Sequence, residues 1–282
     1  MKLASYMHDN AACYGSVVGD GIIDLSRRIG ARYRDIRALL AGGALEQAQK
    51  ASAGQAPDLK LAEVRLLPVI PNPGKIFCIG LNYEDHRKEG KHQKTEVPAV
   101  FVRFAESQVG HGQPMLRPRE SHKFDFEGEI ALIIGKSGRR ITEQAAWDYV
   151  AGYSCYNDGS VRDWQHATTQ WTAGKNFAAT GSFGPWMVTA DEIPPGSTLT
   201  LVTRLNGAEM QRSTTEFMIH SIPRLISYLS TWVPLAPGDV IVSGTPGGVG
   251  ARREPPVWMK PGDVVEVEVD KVGVLRNTVA DD

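Results

Sequence analysis

Seven short apolar runs follow one another after residue 72: KIFCIGLNY, AVFVRF, EIALIIG, WMVTA, LTLVTRLNG, DVIVSG and DVVEVEV. Many are bounded by Gly or Pro and rich in β-branched residues, which makes them strands. Only two helical stretches interrupt them, ITEQAAWDYVAG and IHSIPRLISYLSTW with its internal Pro223. Strands that so outnumber helices exclude regular βαβ alternation and predict an α+β or mainly-β domain. Upstream, runs such as YGSVVGDGIIDL surround an amphipathic stretch, RYRDIRALLAGGALEQAQKA, and predict a small N-terminal β-rich domain carrying one or two helices. The prolines of PVIPNPGK limit both helix and ladder pairing, so a boundary is expected near Asn72, between a small domain over 1–71 and a larger one over 72–282.

Composition narrows the function classes. With 31 Lys+Arg against 32 Asp+Glu the chain has no general attraction to nucleic acid or to anionic membranes, and neither is expected as a partner. The three cysteines, Cys13, Cys78 and Cys155, lack CxxC spacing and read as reduced residues, which suits the cytoplasm. No apolar run approaches the length of a membrane span. SGTPGGVG lacks the Lys-Ser/Thr of a phosphate loop and reads as a turn after a strand. Neither a GxSxG elbow nor an HExxH helix occurs.

In HKFDFEGEIALIIG, Asp125, Glu127 and Glu129 alternate with Phe126, Gly128 and Ile130, so strand geometry puts the three acids on one face, which Ala131 and Ile133 continue. Acids running into apolar positions repel one another and lose hydration, and a cation resolves both costs. A solvated edge strand with outward charges is the other reading. About thirty residues on, YSCYNDGSVRDWQ reads as a strand entering a turn that starts a helix at Asp158. Asp158, Arg162 and Gln165 would then share a face. An N-cap Asp with an i,i+4 ion pair explains the same spacing. Glu127, Glu129 and Asp158 together make an all-oxygen set suited to a hard cation such as Mg2+, Mn2+ or Ca2+ rather than zinc. Upstream, His86 and Glu89 stand three apart in a polar helix-like turn after a strand, where a carboxylate can orient an imidazole. A merely solvated histidine fits that charged stretch as well.

The order GLNYxxHxxE, FEGEIALIIG, NDxSxRDWQ, GKNF and SGTPGGVG resembles the fumarylacetoacetate hydrolase family over roughly residues 73 to 279. The resemblance implies a mixed β-roll catalytic domain, usually dimeric, with Mg2+ or Mn2+ (Ca2+ as a stand-in in crystals) held by Glu127, Glu129 and Asp158. It makes His86 and Glu89 a water-activating dyad on a closing lid, and Lys175 a cationic partner near metal and substrate. Arg162, Gln165 and Thr245 become substrate-binding groups or their supports. Gly159 and Val161 around Ser160, and Gly128 between the glutamates, depart from the family pattern and bear on pocket shape. Lys88, Lys91 and Lys94 of the lid segment are expected in solvent. The expected activity is hydrolysis of a C–C bond in a 2,4-diketo acid of the acylpyruvate type, giving pyruvate and a carboxylic acid. Oxaloacetate decarboxylation and diketo acid isomerisation are alternatives on the same site, and a non-catalytic, metal-stabilised protein that binds small acids is the alternative from another class.

Overall fold

The structure, a computed structural model, describes every residue except Lys91, His92 and Lys94. Two of the lysines expected in solvent, Lys91 and Lys94, thus lie outside the described residues, and Lys88 pairs with Glu84 at 3.6 Å. The strand Gly128–Ile134 organises the molecule. It is buried along its whole length, and alternate residues serve different cores: Ile130, Leu132 and Ile134 join one apolar cluster, Ala131 and Ile133 another. A strand covered on both faces needs no polar alternation, which is why IALIIG, after Glu129, is continuously apolar.

This strand lies within a 12-stranded sheet. The path runs through Leu59–Lys60, Gly21–Asp24, Ala11–Val18, Lys2–His8, Gly181–Thr189, Val150–Asn157, Gly128–Ile134, Val240–Val242, Ile76–Gly80 and Ala99–Arg103. A five-stranded sheet, in the order Ala208–Thr214, Thr200–Leu205, Val264–Val269, Gly273–Asp281 and Met115–Arg117, accompanies it. Leu201, Val267, Val269 and Leu275 of this second sheet share a core with Ile130 and Leu132, and Leu225, Ile226 and Leu229 of helix Ile222–Trp232 complete it. The opposite face is covered by helices Leu25–Ile29, Ile36–Ala41 and Leu45–Ser52, which bring Leu25, Ile36, Leu39 and Ala48 onto Ala131, Ile133, Val240 and Val242. The fold is α+β, with few helices around a large mixed sheet.

The residues on either side of the proline-rich segment share one sheet and one core. Lys2 pairs with Val188 and Leu3 with Met187. The amphipathic stretch of this region splits at Gly42 and Gly43, where Gly43 takes φ 60° and ends the first helix. ITEQAAWDYVAG is not an α-helix: Thr142 caps a 3-10 helix over Glu143–Tyr149, and from Val150 the chain is strand. Pairing of Val150–Asn157 with both neighbouring strands takes the backbone groups that a longer helix would use. Pro223 lies in the first turn of Ile222–Trp232, where no N–H partner is lost, and Ser221 caps that turn. Cys78 and Cys155 are buried and all three cysteines are free thiols. Among the described residues no helix is long and apolar enough to cross a membrane.

Candidate active site and metal centre

The antiparallel register sets the centre. Gly128 pairs with Asn157, so Glu127 and Asp158, one residue beyond each, meet where the ladder ends, and the Asp158 N–H donates to the Glu127 carbonyl at 2.8 Å. Glu129 stands opposite Tyr156 on the same two strands. One carboxylate oxygen from each of Glu127, Glu129 and Asp158 lies within 4.8 Å of the others, and all three residues are buried.

The acid row is not one continuous strand. Phe124–Asp125 pairs with Ser160–Val161, the chain bends at Phe126 and Glu127, and the long strand begins at Gly128. Asp125 is thereby separated from the other three acids and accepts the Gly250 and Ala251 N–H groups at 2.8 and 3.0 Å, with Arg162 Nε at 2.8 Å. The helix expected to start at Asp158 does not form there. The Ser160–Val161 strand intervenes and the helix covers only Arg162–Gln165. Arg162 reaches the acids from that helix by contacting Glu127 at 2.6 Å and Asp125 at 2.7 Å, rather than through an i,i+4 pair with Asp158.

Three buried cations balance most of this charge. Lys175 Nζ lies 2.6 Å from Glu127 Oε2, 2.7 Å from Asp158 Oδ2 and 2.7 Å from Ser160 Oγ, which uses all three ammonium protons. Arg103 contacts Asp158 Oδ1 at 2.5 Å and also donates to the Gly159 carbonyl and Thr180 Oγ1. Burial opposes the charge of Glu127, but Arg162 and Lys175 outweigh it and hold its carboxyl well below the usual range. Burial likewise opposes the Lys175 charge, and Asp158 and Glu127 overcome it, raising the ammonium above its ordinary value. Glu129 is the exception. Its carboxylate accepts the Gly244 N–H at 2.5 Å, and burial, then the charges of Asp158 and Glu127, push its pKa well above the carboxylate range. A buried carboxylate that pairs with no side-chain cation among the described residues, beside two others, is a place where a hard divalent cation lowers the energy. The all-oxygen donor set fits Mg2+ or Mn2+.

His86 and Glu89 lie on helix Glu84–Glu89, with Nδ1 3.9 Å from Glu89 Oε2. His86 Nδ1 is buried without a hydrogen-bond partner among the described residues. Burial raises the Glu89 carboxyl, but His86, the Gly248 N–H and Arg253 bring it below its ordinary value. Gln165 Oε1 accepts Arg162 Nη1 at 2.8 Å. The Thr245 hydroxyl donates to the Gly128 carbonyl at 2.9 Å and accepts Gln211 Nε2 at 2.8 Å, so it ties the glycine loop to the acid strand.

A cavity of about 310 Å³ joins these groups, with His86, Glu127, Glu129, Arg162, Lys175 and Thr245 in its wall. Gln165 also faces it, while Asp158 sits behind Lys175. Several wall residues have no mark in the sequence, among them Lys123, Trp171, Arg252 and Trp258. Arg103, the buried partner of Asp158, is equally inconspicuous; its one available signal is a lone charge ending the apolar run AVFVR.

Residues 75–280 match the family described as fumarylacetoacetate (FAA) hydrolase C-terminal. A mitochondrial oxaloacetate tautomerase of Xenopus laevis is 41% identical over 265 residues, covering 93% of this chain and 83% of that protein. The solved structure of maleylpyruvate hydrolase from Sphingobium sp. SYK-6, in complex with manganese(II) and pyruvate, is 29% identical. It superposes with TM-score 0.83, covering 100% of this chain and 99% of that one. A 5-carboxymethyl-2-hydroxymuconate delta-isomerase of Mycobacterium smegmatis is 28% identical with TM-score 0.78, and both chains are covered in full.

Proposed function

The chain belongs to the fumarylacetoacetate hydrolase family, and from that premise we propose a divalent-cation-dependent enzyme that interconverts the enol and keto forms of an oxaloacetate-type acid. The observation that carries this reading is that His86 lines the same cavity as Glu127 and Glu129, so that a proton carrier faces a cation site. Glu127, Glu129 and Asp158 would hold the divalent cation, which would supply Lewis-acid polarisation of the substrate. His86, backed by Glu89 at Nδ1, uses Nε2 to take the proton from the carbon next to the carbonyl. The C–H electron pair becomes the enol double bond, the carbonyl π pair moves onto oxygen, and the oxygen takes up the proton that His86 gives back, so that the base is restored. Lys175, its three protons already shared, stabilises the developing oxygen charge by its field rather than by a direct hydrogen bond. Arg162 and Gln165 orient the substrate's carboxylate end, and Thr245 holds the loop that closes the wall.

Tautomerisation is supported by the naming of the 41%-identical relative. The test is the decay of enol-oxaloacetate absorbance with Mg2+ or Mn2+ present. A rate no faster than buffer with metal would exclude it. The second reading is hydrolysis of an acylpyruvate, supported by the likeness to a hydrolase that binds manganese and pyruvate. There His86 takes its proton from water, the water oxygen attacks the distal carbonyl, and the C–C electron pair leaves with the pyruvate fragment. Release of pyruvate with a second carboxylic acid marks hydrolysis, release with CO2 marks oxaloacetate decarboxylation, and metal binding without turnover marks a binding protein. The homodimer implied by the family resemblance belongs to the same proposal, and light scattering at low micromolar concentration tests it.

A further inference from the structure

The cavity walls carry four cationic side chains, Lys123, Arg162, Lys175 and Arg252, against Glu127, Glu129 and Asp163. Arg162 and Lys175 are spent on the acids of the centre. The Asp163 carboxylate takes the Ser121 hydroxyl, at 2.7 and 2.9 Å. Lys123 and Arg252 make no ion pair and no side-chain hydrogen bond among the described residues, although both line the cavity. An unpaired pair of cations facing the space in front of a cation site favours a ligand that is anionic at both ends.

Both side chains are exposed at the rim of the cavity, and it is their backbone that is held in place. The Ala251 N–H, next to Arg252, donates to Asp125 at 3.0 Å, and Asp125 is the residue that grips Arg162. The segment carrying Arg252 is pinned again where Val257 N–H meets the Gly250 carbonyl at 3.0 Å and Met259 N–H meets the Phe124 carbonyl at 2.8 Å. Lys123 is fixed from the other side, its carbonyl accepting the Arg162 N–H at 3.0 Å. Both cations therefore spring from backbone tied to the Asp125–Arg162 pair, and the aromatic rings of Trp171 and Trp258 share the wall with them. We propose that Arg252 and Lys123 form a subsite for a second carboxylate, making the protein selective for 2-oxo diacids whose first carboxylate and oxo group lie at the acid triad. The inference rests on the 2-oxo acid reading above and names its substrate class. Arg252 is the stronger element, because a guanidinium can grip a carboxylate with two parallel N–H groups.

The test is equilibrium binding to Mn2+-loaded protein, using pyruvate and 2-oxoglutarate as probes, neither of which has to turn over. The wild-type protein is expected to prefer the diacid by roughly tenfold or more, on the scale of one charge-assisted contact. Arg252→Gln should abolish most of that preference, Lys123→Gln should reduce it, and Arg252→Lys should restore part of it. Arg139→Gln, an exposed site away from the cavity, controls for general loss of positive charge. A preference unchanged in Arg252→Gln, or equally reduced by Arg139→Gln, overturns the subsite. So does a wild-type protein that binds both probes equally, and that result leaves the 2-oxo acid reading standing. Binding of neither probe overturns both.

Discussion

Glu89 accepts the Gly248 backbone N–H with both carboxylate oxygens, at 2.8 and 3.0 Å. The helix that carries His86 is thus fastened to the glycine loop, and a side-chain Cβ at Gly247 would crowd Glu89 and Asp85. The same carboxylate that stands 3.9 Å from His86 also docks its helix.

Replacing His86 with Ala is expected to lower turnover by roughly 10²–10⁴-fold, the range of general acid–base catalysis, with metal affinity nearly unchanged. Glu89→Gln should lose less, because the amide oxygen still accepts the Gly248 N–H while the negative charge behind the imidazole is gone. Stopped-flow enol decay measures both, and turnover unchanged in His86→Ala would remove this residue from the chemistry.

Chelation followed by dialysis should abolish activity, and Mg2+ or Mn2+ should restore it. The metal should also raise the melting temperature, since a ligand at about 100 times its Kd stabilises the folded state by roughly 2.7 kcal/mol. Glu129→Gln should weaken metal binding and leave the metal-free protein at least as stable, because Glu129 pairs with no side-chain cation among the described residues and its one hydrogen bond, from the Gly244 N–H, can be kept by the amide oxygen. Calorimetric titration reads the affinity and thermal melts read the stability. Full activity in protein shown to be metal-free would exclude the centre.

His111 gives a pH dependence separate from the active site. Its Nδ1 accepts the Arg276 N–H at 3.1 Å, and burial, then the Arg276 charge, hold the imidazole below its ordinary value. A base whose pKa is depressed in the folded state binds protons more readily when unfolded. Its contribution is therefore complete above about pH 6.5 and declines as pH falls from there toward the depressed value. Melting temperature should drop between about pH 7.5 and pH 5 more steeply in the wild type than in His111→Gln. Parallel profiles would exclude the assignment.

Gly128→Ala should destabilise the protein by roughly 1–3 kcal/mol, the usual cost of forcing atoms into a packed interior. A Cβ at this position runs into Thr203 Oγ1 of the neighbouring sheet. The damage should extend to the metal, because Gly128 separates two of its proposed ligands. Chemical denaturation and metal titration of the variant measure the two effects, and a neutral substitution would show that the second sheet can retreat.

Much of this site was legible because its chemistry leaves local marks. Alternation in FDFEGE set Glu127 and Glu129 on one face, and the polar turn after Ile76–Gly80 displayed His86 with Glu89. Gly128 looked like a departure from a family pattern, and its reason lies 75 residues away in Thr203, which no local reading reaches. The supposed helix at Asp158 failed on the same ground: pairing of Ser160–Val161 with Phe124–Asp125 is a long-range contact that overrides local spacing. Arg103, Lys123 and Arg252 look ordinary until the fold brings them to the cavity or behind it. Pairing of Lys2–His8 with Gly181–Thr189 is likewise invisible to a reading that sees a proline-rich boundary between them.

The burial of Gly128–Ile134 on both faces divides the site into two clocks. Amides of that strand lie between two cores and exchange with solvent only through large-scale opening, while the helix Glu84–Glu89 contains no buried residue and is fastened to the glycine loop through Glu89. A ligand arriving at the cavity therefore meets carboxylates held by the most protected strand of the molecule and an imidazole carried by a far less protected helix. Amide hydrogen exchange reads the two parts separately: the strand is protected up to the limit of global unfolding, and the six-residue helix exchanges earlier.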